Sequence, residues 1–342
     1  MHVHQQLRTL LCRLGDHIRD TLVAVRAQND ACDFAAVSRE STADTIYHID
    51  KISEEALAEW FERHWPDDQP VQIVMEGLED EEAMTFPRGT PIEGTRWKCI
   101  IDPIDGTRGI MYDKRPAWML AGIAPQHGAA TRLSHIVVAA MTELPTSKQW
   151  RADQLSAIVD GGVTAEAVNV FTGERSPLQV QPSVAGDCKH GFAGLSRFFP
   201  EGRVATAQIE ERLWGALYGL GSSPAPLVFD DQYISTGGQF YEILMGHDRM
   251  LGDLRPIVLS ALGYETSLVC HPYDACSALI LREAGVIIEQ LDGSPLDAPM
   301  DTTSPVAWVV YANAKLAAHI RPALQQAVAA VLGEKSSNPT SL

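Results

Sequence analysis

The chain has 342 residues, and its 44 acidic and 27 basic side chains leave a net charge of −17 at neutral pH. That balance lacks the basic footprint of a nucleic-acid-polymer binder and argues against docking on anionic lipid. No apolar run reaches the ~18 residues that a membrane span needs, and the polar start Met1-His2-Val3-His4-Gln5-Gln6 does not read as a signal peptide.

The six cysteines (Cys12, Cys32, Cys99, Cys188, Cys270, Cys276) show no CxxC spacing and read as reduced thiols of a cytoplasmic protein. Cys270-His271 and Cys276 read as small buried residues flanking a loop, because no second Cys/His pair completes a zinc site.

In chain order, Leu7, Leu10, Leu11, Leu14, Ile18, Leu22 and Val25 recur at helical spacing and predict a helix from Gln5 to Ala27. Ile52, Ala56, Leu57, Trp60 and Phe61 predict a second helix from Asp50 to His64. Val71–Met75 reads as a strand ending at Glu76, followed by an acidic loop from Gly77 to Gly94. Trp97–Ile101 reads as a strand ending at Asp102, where Pro103 stops it. Strands over Met119–Ala124 and His135–Met141, then short strands to about Val180, give the pattern of an antiparallel sheet. Beyond Pro182, helices are expected over Ile209–Leu220 and Gly238–Met245. A third is expected from Asp274, as N-cap, to Ala284, stopped by Gly285. A strand over Val286–Ile288 and a helix over Lys315–Leu332 complete the pattern. This texture divides the chain into an N-terminal α+β domain (1–180), a C-terminal α/β domain (181–335) and a frayed tail (336–342).

The chemistry concentrates in Asp102-Pro103-Ile104-Asp105-Gly106-Thr107. An apolar strand delivers two carboxylates, then a glycine that lets the backbone approach a ligand, then a hydroxyl and its N–H. Hard carboxylates converging at a strand end suit Mg²⁺. Two more acids share such settings: Glu76 at a strand end, and Asp274 ahead of a helix. Singly, Asp274 serves as an N-cap and Glu76 as a solvated loop acid.

Together the order strand-Glu76, strand-Asp102-Pro103-Ile104-Asp105-Gly106-Thr107, then Asp274-Ala275 and a helix ending Arg282-Glu283-Ala284-Gly285 resembles the inositol monophosphatase superfamily. These are Mg²⁺-dependent, lithium-sensitive phosphomonoesterases, and they include fructose-1,6-bisphosphatases and 3′-phosphoadenosine 5′-phosphate nucleotidases. The resemblance runs from about Thr42 to Asp297 and is weak between Gly186 and Tyr233. It implies the layered α+β / α/β sandwich of the sugar phosphatases, with alternating α-β-α-β-α layers. It also implies a small phosphorylated metabolite as substrate, two to three Mg²⁺ ions (Mn²⁺ as a substitute) and a homodimer. Glu76, Asp102 and the Ile104 carbonyl would hold the first metal. Asp102, Asp105 and Asp274 would hold the second, with a weaker third near Glu76. Asp50 and Thr107 would orient and activate the attacking water. The N–H groups of Gly106 and Thr107 would receive phosphate oxygens. In-line attack by metal-activated water then follows, without a phosphoenzyme.

Several positions depart from the family pattern. Met75-Glu76-Gly77 stands where Gly-Glu-Glu is common, and Tyr273 replaces a tryptophan. Arg108-Gly109-Ile110 is closer to the nucleotidase branch, whose substrates carry more negative charge. Gly238, Gln239 and Glu265 are candidate contacts to the alcohol part of the substrate, and Arg108 to its added charge. The leaving group stays open between inositol phosphate, a sugar phosphate, histidinol phosphate and a 3′-phosphonucleotide.

The Asp-x-Asp-Gly-Thr of haloacid-dehalogenase phosphatases is a poor match, because two residues separate the aspartates here and the pair lies past residue 100. An inactive metal-binding regulatory homologue is the alternative from another class. Asp105→Asn or Asp274→Asn should nearly abolish phosphate release while circular dichroism stays unchanged. Full activity in either purified variant would overturn the assignment.

Overall fold

The computed structural model describes residues 2–28, 37–40, 45–76, 84–221, 223–264 and 268–336. Helix α1 (His2–Gln28) buries Leu7, Leu11, Leu14, Ile18 and Leu22 on one stripe, as its spacing predicts. A short ribbon, β1 (Val37–Glu40) and β2 (Thr45–Tyr47), leads into α2 (His48–His64). Leu57, Trp60 and Phe61 of α2 are buried. Phe61 stacks on Phe86, with ring centroids 5.1 Å apart.

The first sheet comprises β3 (Val71–Met75), β4 (Met84–Phe86), β5 (Trp97–Asp105), β6 (Ala117–Pro125), β7 (Val138–Leu144), β8 (Arg151–Ile158), β9 (Gly162–Asn169) and β10 (Arg175–Pro177). Its order is β10-β9-β8-β7-β6-β5-β3-β4. Neighbours are antiparallel except β3 and β5, which are parallel. Both faces of the sheet centre are buried. Met119, Ala121, Val138 and Ala140 face α1 and α2, and Trp118, Leu120, Ala139 and Met141 face the opposite core.

The second sheet has the order β12-β11-β13-β15-β14. Its members are β11 (Gly191–Leu195), β12 (Val228–Phe229), β13 (Asp248–Asp253), β14 (Ile287–Glu289) and β15 (Trp308–Tyr311). Strands β12, β11 and β13 run parallel, and β15 and β14 follow in antiparallel pairing. Helices α5 (Thr236–Leu244) and α7 (Ala278–Glu283) lie between the sheets, touching β6 and β13, and β8 and β14, respectively. Helices α4 (Arg203–Tyr218) and α8 (Ala314–Ser336) pack together, with α8 against β15 and α6 (Arg255–Ala261) against α8. The layers therefore alternate α-β-α-β-α, as the resemblance implies.

Four local expectations are corrected. Strand β5 does not stop at Asp102 but continues through Pro103 to Asp105. The lost proline N–H is absorbed by an irregularity in pairing with β6. Helix α7 opens at Ala278 with Ser277 as N-cap, so Asp274 lies in the preceding turn and does not cap it. The loop expected over 77–94 contains strand β4, which pairs with β3, and its residues 77–83 lie outside the described part. Helix α4 starts at Arg203, six residues before the expected Ile209.

No helix among the described residues is long and apolar enough to cross a membrane. Leu14 is fully buried between α1 and the first sheet. Leu14→Ala should cost about 2–5 kcal/mol, read by urea denaturation. A loss below about 1 kcal/mol would show that α1 does not close this core.

Candidate metal and phosphate site

The site begins with the irregularity in β5. Asp102 pairs with Leu120 and Asp105 with Trp118, so two residues on β5, Pro103 and Ile104, oppose one on β6, Met119. Strict alternation would send Asp102 and Asp105 to opposite faces. The extra residue acts as a bulge and returns both to the face of Leu120 and Trp118. Parallel pairing of Val74 with Ile100 and Met75 with Ile101 carries Glu76, just past β3, alongside Asp102. All three acids thus gather between the two sheets.

Asp274 arrives from the other half of the chain. Its Oδ2 accepts the His271 N–H at 2.6 Å. Tyr273, beside it, stacks on His271 with centroids 5.3 Å apart, and its hydroxyl lies 3.2 Å from His271 Nδ1. Among the described residues, Asp102, Asp105 and Asp274 offer ligand oxygens all within 4.8 Å of one another.

Each carboxylate is fixed before any cation arrives. Asp102 Oδ1 accepts the Ile104 N–H at 3.0 Å. Asp105 Oδ2 accepts the Ser235 hydroxyl at 2.8 Å and the Gly237 N–H at 2.5 Å, and its Oδ1 accepts the Thr236 N–H at 3.2 Å. Ser235 is also the N-cap of α5, accepting from Gly238 N–H at 2.8 Å. Thr107 Oγ1 donates to the Ile104 carbonyl at 2.8 Å. Gly106, at φ +97°, turns the chain from β5 into α3 (Thr107–Met111), and a Cβ there would press on the Ile234 carbonyl at 3.2 Å.

The other expected residues fall as follows. Arg108 is partly buried in the first turn of α3. Gly238 is buried under the Tyr233 ring, which a Cβ would meet at 2.4 Å. Gln239 is 3 % exposed, and its Nε2 donates to Ser196 Oγ at 3.1 Å. Asp50 belongs to α2, which packs on α3, but its side chain lies outside the described part, as does Glu265. Sequence reasoning missed the grip of residues 235–237 on Asp105 and the buried Asp253–Arg255 pair beside the acids. The Ser-Thr-Gly-Gly run was a helix-start signal that could have suggested the first.

Burial leads every pKa shift here. Burial, then Glu76, Asp105 and Asp274, pushes the Asp102 carboxyl well above the ordinary carboxylate range. Burial raises Asp105 to about 6, although residues 235–237 and Arg255 pull it down. Burial, then Asp105, raises Asp274, opposed by the His271 N–H and Arg255. Such a set of hard oxygen donors fits a divalent cation such as Mg²⁺, which would favour the ionised forms. Without metal, the native state binds more protons than the unfolded chain above the ordinary pKa of 3.8. Stability of chelator-treated protein should therefore fall as pH rises from about 4 to about 6. Added Mg²⁺ should reverse the loss, read as Tm; a Tm indifferent to Mg²⁺ above pH 6 would contradict a metal site.

No family model matches the sequence, and no curated protein matches it. Solved structures do match. Extragenic suppressor protein suhB from Bartonella henselae aligns at 15% identity and TM-score 0.63, over 94% of this chain and 98% of that one. Leishmania major fructose-1,6-bisphosphatase aligns at 11% identity and TM-score 0.65, over 93% and 92%. Staphylococcal inositol monophosphatase-1, in a LiCl-soaked inhibitory complex, aligns at 12% identity and TM-score 0.61, over 94% of each chain. This chain has the fold shared by the inositol monophosphatases and fructose-1,6-bisphosphatase.

Proposed function

We propose that this chain is a Mg²⁺-dependent phosphomonoesterase acting on a small phosphorylated metabolite, of the inositol monophosphate or sugar phosphate kind. The observation that carries this reading is the convergence of Asp102, Asp105 and Asp274 oxygens within 4.8 Å on a fold shared with phosphatases. In this reading two or three cations are held, one by Glu76, Asp102 and the Ile104 carbonyl, one by Asp102, Asp105 and Asp274. The Ile104 carbonyl accepts Thr107 Oγ1 on one lone pair and keeps the other. Bound there, the cations would supply Lewis acidity toward the phosphate and a water acidified for attack at neutral pH.

The chain's own residues do the positioning. The N–H groups of Gly106 and Thr107, where β5 turns into α3, receive phosphate oxygens. Thr107, anchored on Ile104, and Asp50, from the neighbouring helix, orient the attacking water. The leaving alcohol lies toward the segment 235–239. Arg108, at the first turn of α3, favours a substrate with added negative charge, which keeps the nucleotidase type as a second reading alongside histidinol phosphatase. Lithium inhibition, a homodimer and a cytoplasmic location belong to the same proposal.

The test is phosphate release from inositol monophosphate, fructose 1,6-bisphosphate, histidinol phosphate and 3′-phosphoadenosine 5′-phosphate. Each is assayed with Mg²⁺, with chelator, and with Li⁺ added. Turnover of at least one, lost in chelator and lowered by Li⁺, is expected. Thr107→Ala should reduce kcat by roughly 10²-fold or more. Metal binding without any turnover would favour the inactive regulatory homologue.

A further inference from the structure

Asp105 stands at one end of a row of side chains that crosses the first sheet. Asp105 on β5 is opposite Trp118 on β6, and Trp118 is opposite Glu143 on β7. Residues paired across strands share a face. The row ends on β8, where the Asp153 N–H donates to Glu143 Oε2 at 3.0 Å. Asp153 and Glu143 are 2 % and 8 % exposed. Both are buried acids outside the cluster of Asp102, Asp105 and Asp274.

Helix α5 lies along this row and is fastened to it at two places. Its first residues hold Asp105 through the Thr236 and Gly237 N–H groups. Gly237 sits flush on the sheet, where a Cβ would meet Trp118 at 3.0 Å and Leu120 at 2.6 Å. Tyr241 is one helical turn on, along the same face of the helix. Its ring packs on Trp118 with centroids 4.8 Å apart, and its hydroxyl donates to Asp153 Oδ2 at 2.6 Å. Burial, then the bond to Asp153, pushes the Tyr241 hydroxyl above its ordinary range, so it stays protonated and remains a donor.

The far end of the row is itself anchored. Arg151 Nε and Nη2 hold the two oxygens of Asp153, each at 2.6 Å. Gln149 Nε2 donates to Glu143 Oε1 at 2.7 Å, and Gln149 Oε1 accepts from the Thr146 N–H and hydroxyl. In the middle, Trp118 Nε1 donates to the Tyr233 hydroxyl at 3.2 Å, which donates in turn to the Pro116 carbonyl at 2.9 Å. The apolar side of α5 belongs to the second sheet, with Phe240 against Trp308 of β15 at 5.0 Å. Asp105 belongs to the first sheet. The Tyr241–Asp153 bond is therefore a polar tie that sets α5 against the sheet carrying Asp105. A helix of nine residues has little stability of its own, so its position depends on such ties.

We infer that Tyr241 and Asp153 are positioning residues for the metal centre: their bond seats α5 so that Ser235, Thr236 and Gly237 hold Asp105 where it can bind a cation. The inference rests on the reading of the acid cluster as a Mg²⁺ site, and extends that site to β8 and the far half of α5.

The experiment is calorimetric titration of the full chain with Mg²⁺, without substrate. Ser235→Ala removes a direct partner of Asp105 and should raise the Mg²⁺ Kd about 10–100-fold, the usual loss for such a partner. Tyr241→Phe keeps the ring on Trp118 and removes the hydroxyl; acting one step further out, it should raise Kd by about threefold or more. Asp153→Asn should act in the same direction, and the double variant should bind no worse than the weaker single one, because both changes weaken one bond. Leu14→Ala, on the other face of the same sheet, should lower stability and leave Kd unchanged, which separates positioning from a general loss of stability. Amide hydrogen exchange of the metal-free protein gives a second readout. The Thr236 and Gly237 amides should exchange faster in Tyr241→Phe, and the Ala140 and Met141 amides of β7 should not.

An unchanged Kd in Tyr241→Phe, or an equal rise in Leu14→Ala, would overturn the positioning role, while Mg²⁺ binding by the unaltered chain would leave the metal reading standing. An unaltered chain that binds no Mg²⁺ would sink the metal reading. Exchange at residues 236 and 237 would then still decide whether the tie seats α5 on Asp105, unchanged rates overturning it.

Discussion

Everything at the centre of this molecule answers to the repulsion among carboxylates gathered in one buried place. Ligand oxygens of Asp102, Asp105 and Asp274 lie within 4.8 Å of one another. At that distance and an effective dielectric of ~20, each ionised pair costs about 3 kcal/mol. The bonds from Ser235, Thr236 and Gly237 fix Asp105 and offset part of this, because a hydrogen bond to a charged group contributes about 1.5–3 kcal/mol. Asp102 and Asp274 each take one backbone N–H, from Ile104 and His271. The protein therefore either protonates part of the cluster or neutralises it with cations. That choice makes stability, metal binding and pH aspects of one equilibrium.

The layered architecture is what makes such a cluster tolerable. Both faces of the first sheet are packed, so β3 and β5 cannot shift to relieve the repulsion. The second sheet and α5 close the site from the other side. Helix α5 meets Asp105 with its N-terminal N–H groups, the end of a helix that favours negative charge. Arg255, held by Asp253, brings its guanidinium beside the acids and favours the ionised forms of Asp105 and Asp274, while Asp253 opposes this at Asp274.

The net charge of −17 takes on a different meaning in this setting. Scattered surface acids are screened over ~8 Å at physiological salt, whereas Glu76, Asp102, Asp105 and Asp274 sit together where screening is weak. That acidity, gathered without cations, would also repel a phosphate ester. In the proposed reading, the same cluster would become a phosphate site only once cations reverse its sign.

The sequence by itself determined the class of fold and the residues proposed to carry the chemistry. Leu7 through Leu22 declare α1 by their period, and the β3 and β5 runs declare strands by their apolar residues. Asp102-Pro103-Ile104-Asp105-Gly106-Thr107, with Glu76 and Asp274, shows a donor set through residue type and order. Only the tertiary structure decided how these acids meet. Pro103 read locally as a strand stop, but cross-strand pairing makes it part of a bulge that turns Asp105 back beside Asp102. The Ser235–Gly237 grip joins segments 130 residues apart. Periodicity and local propensity report on neighbours along the chain, and these contacts depend on an irregular β5–β6 pairing and on segments far apart in sequence that pack together. Such pairings leave no local trace in the residues that make them.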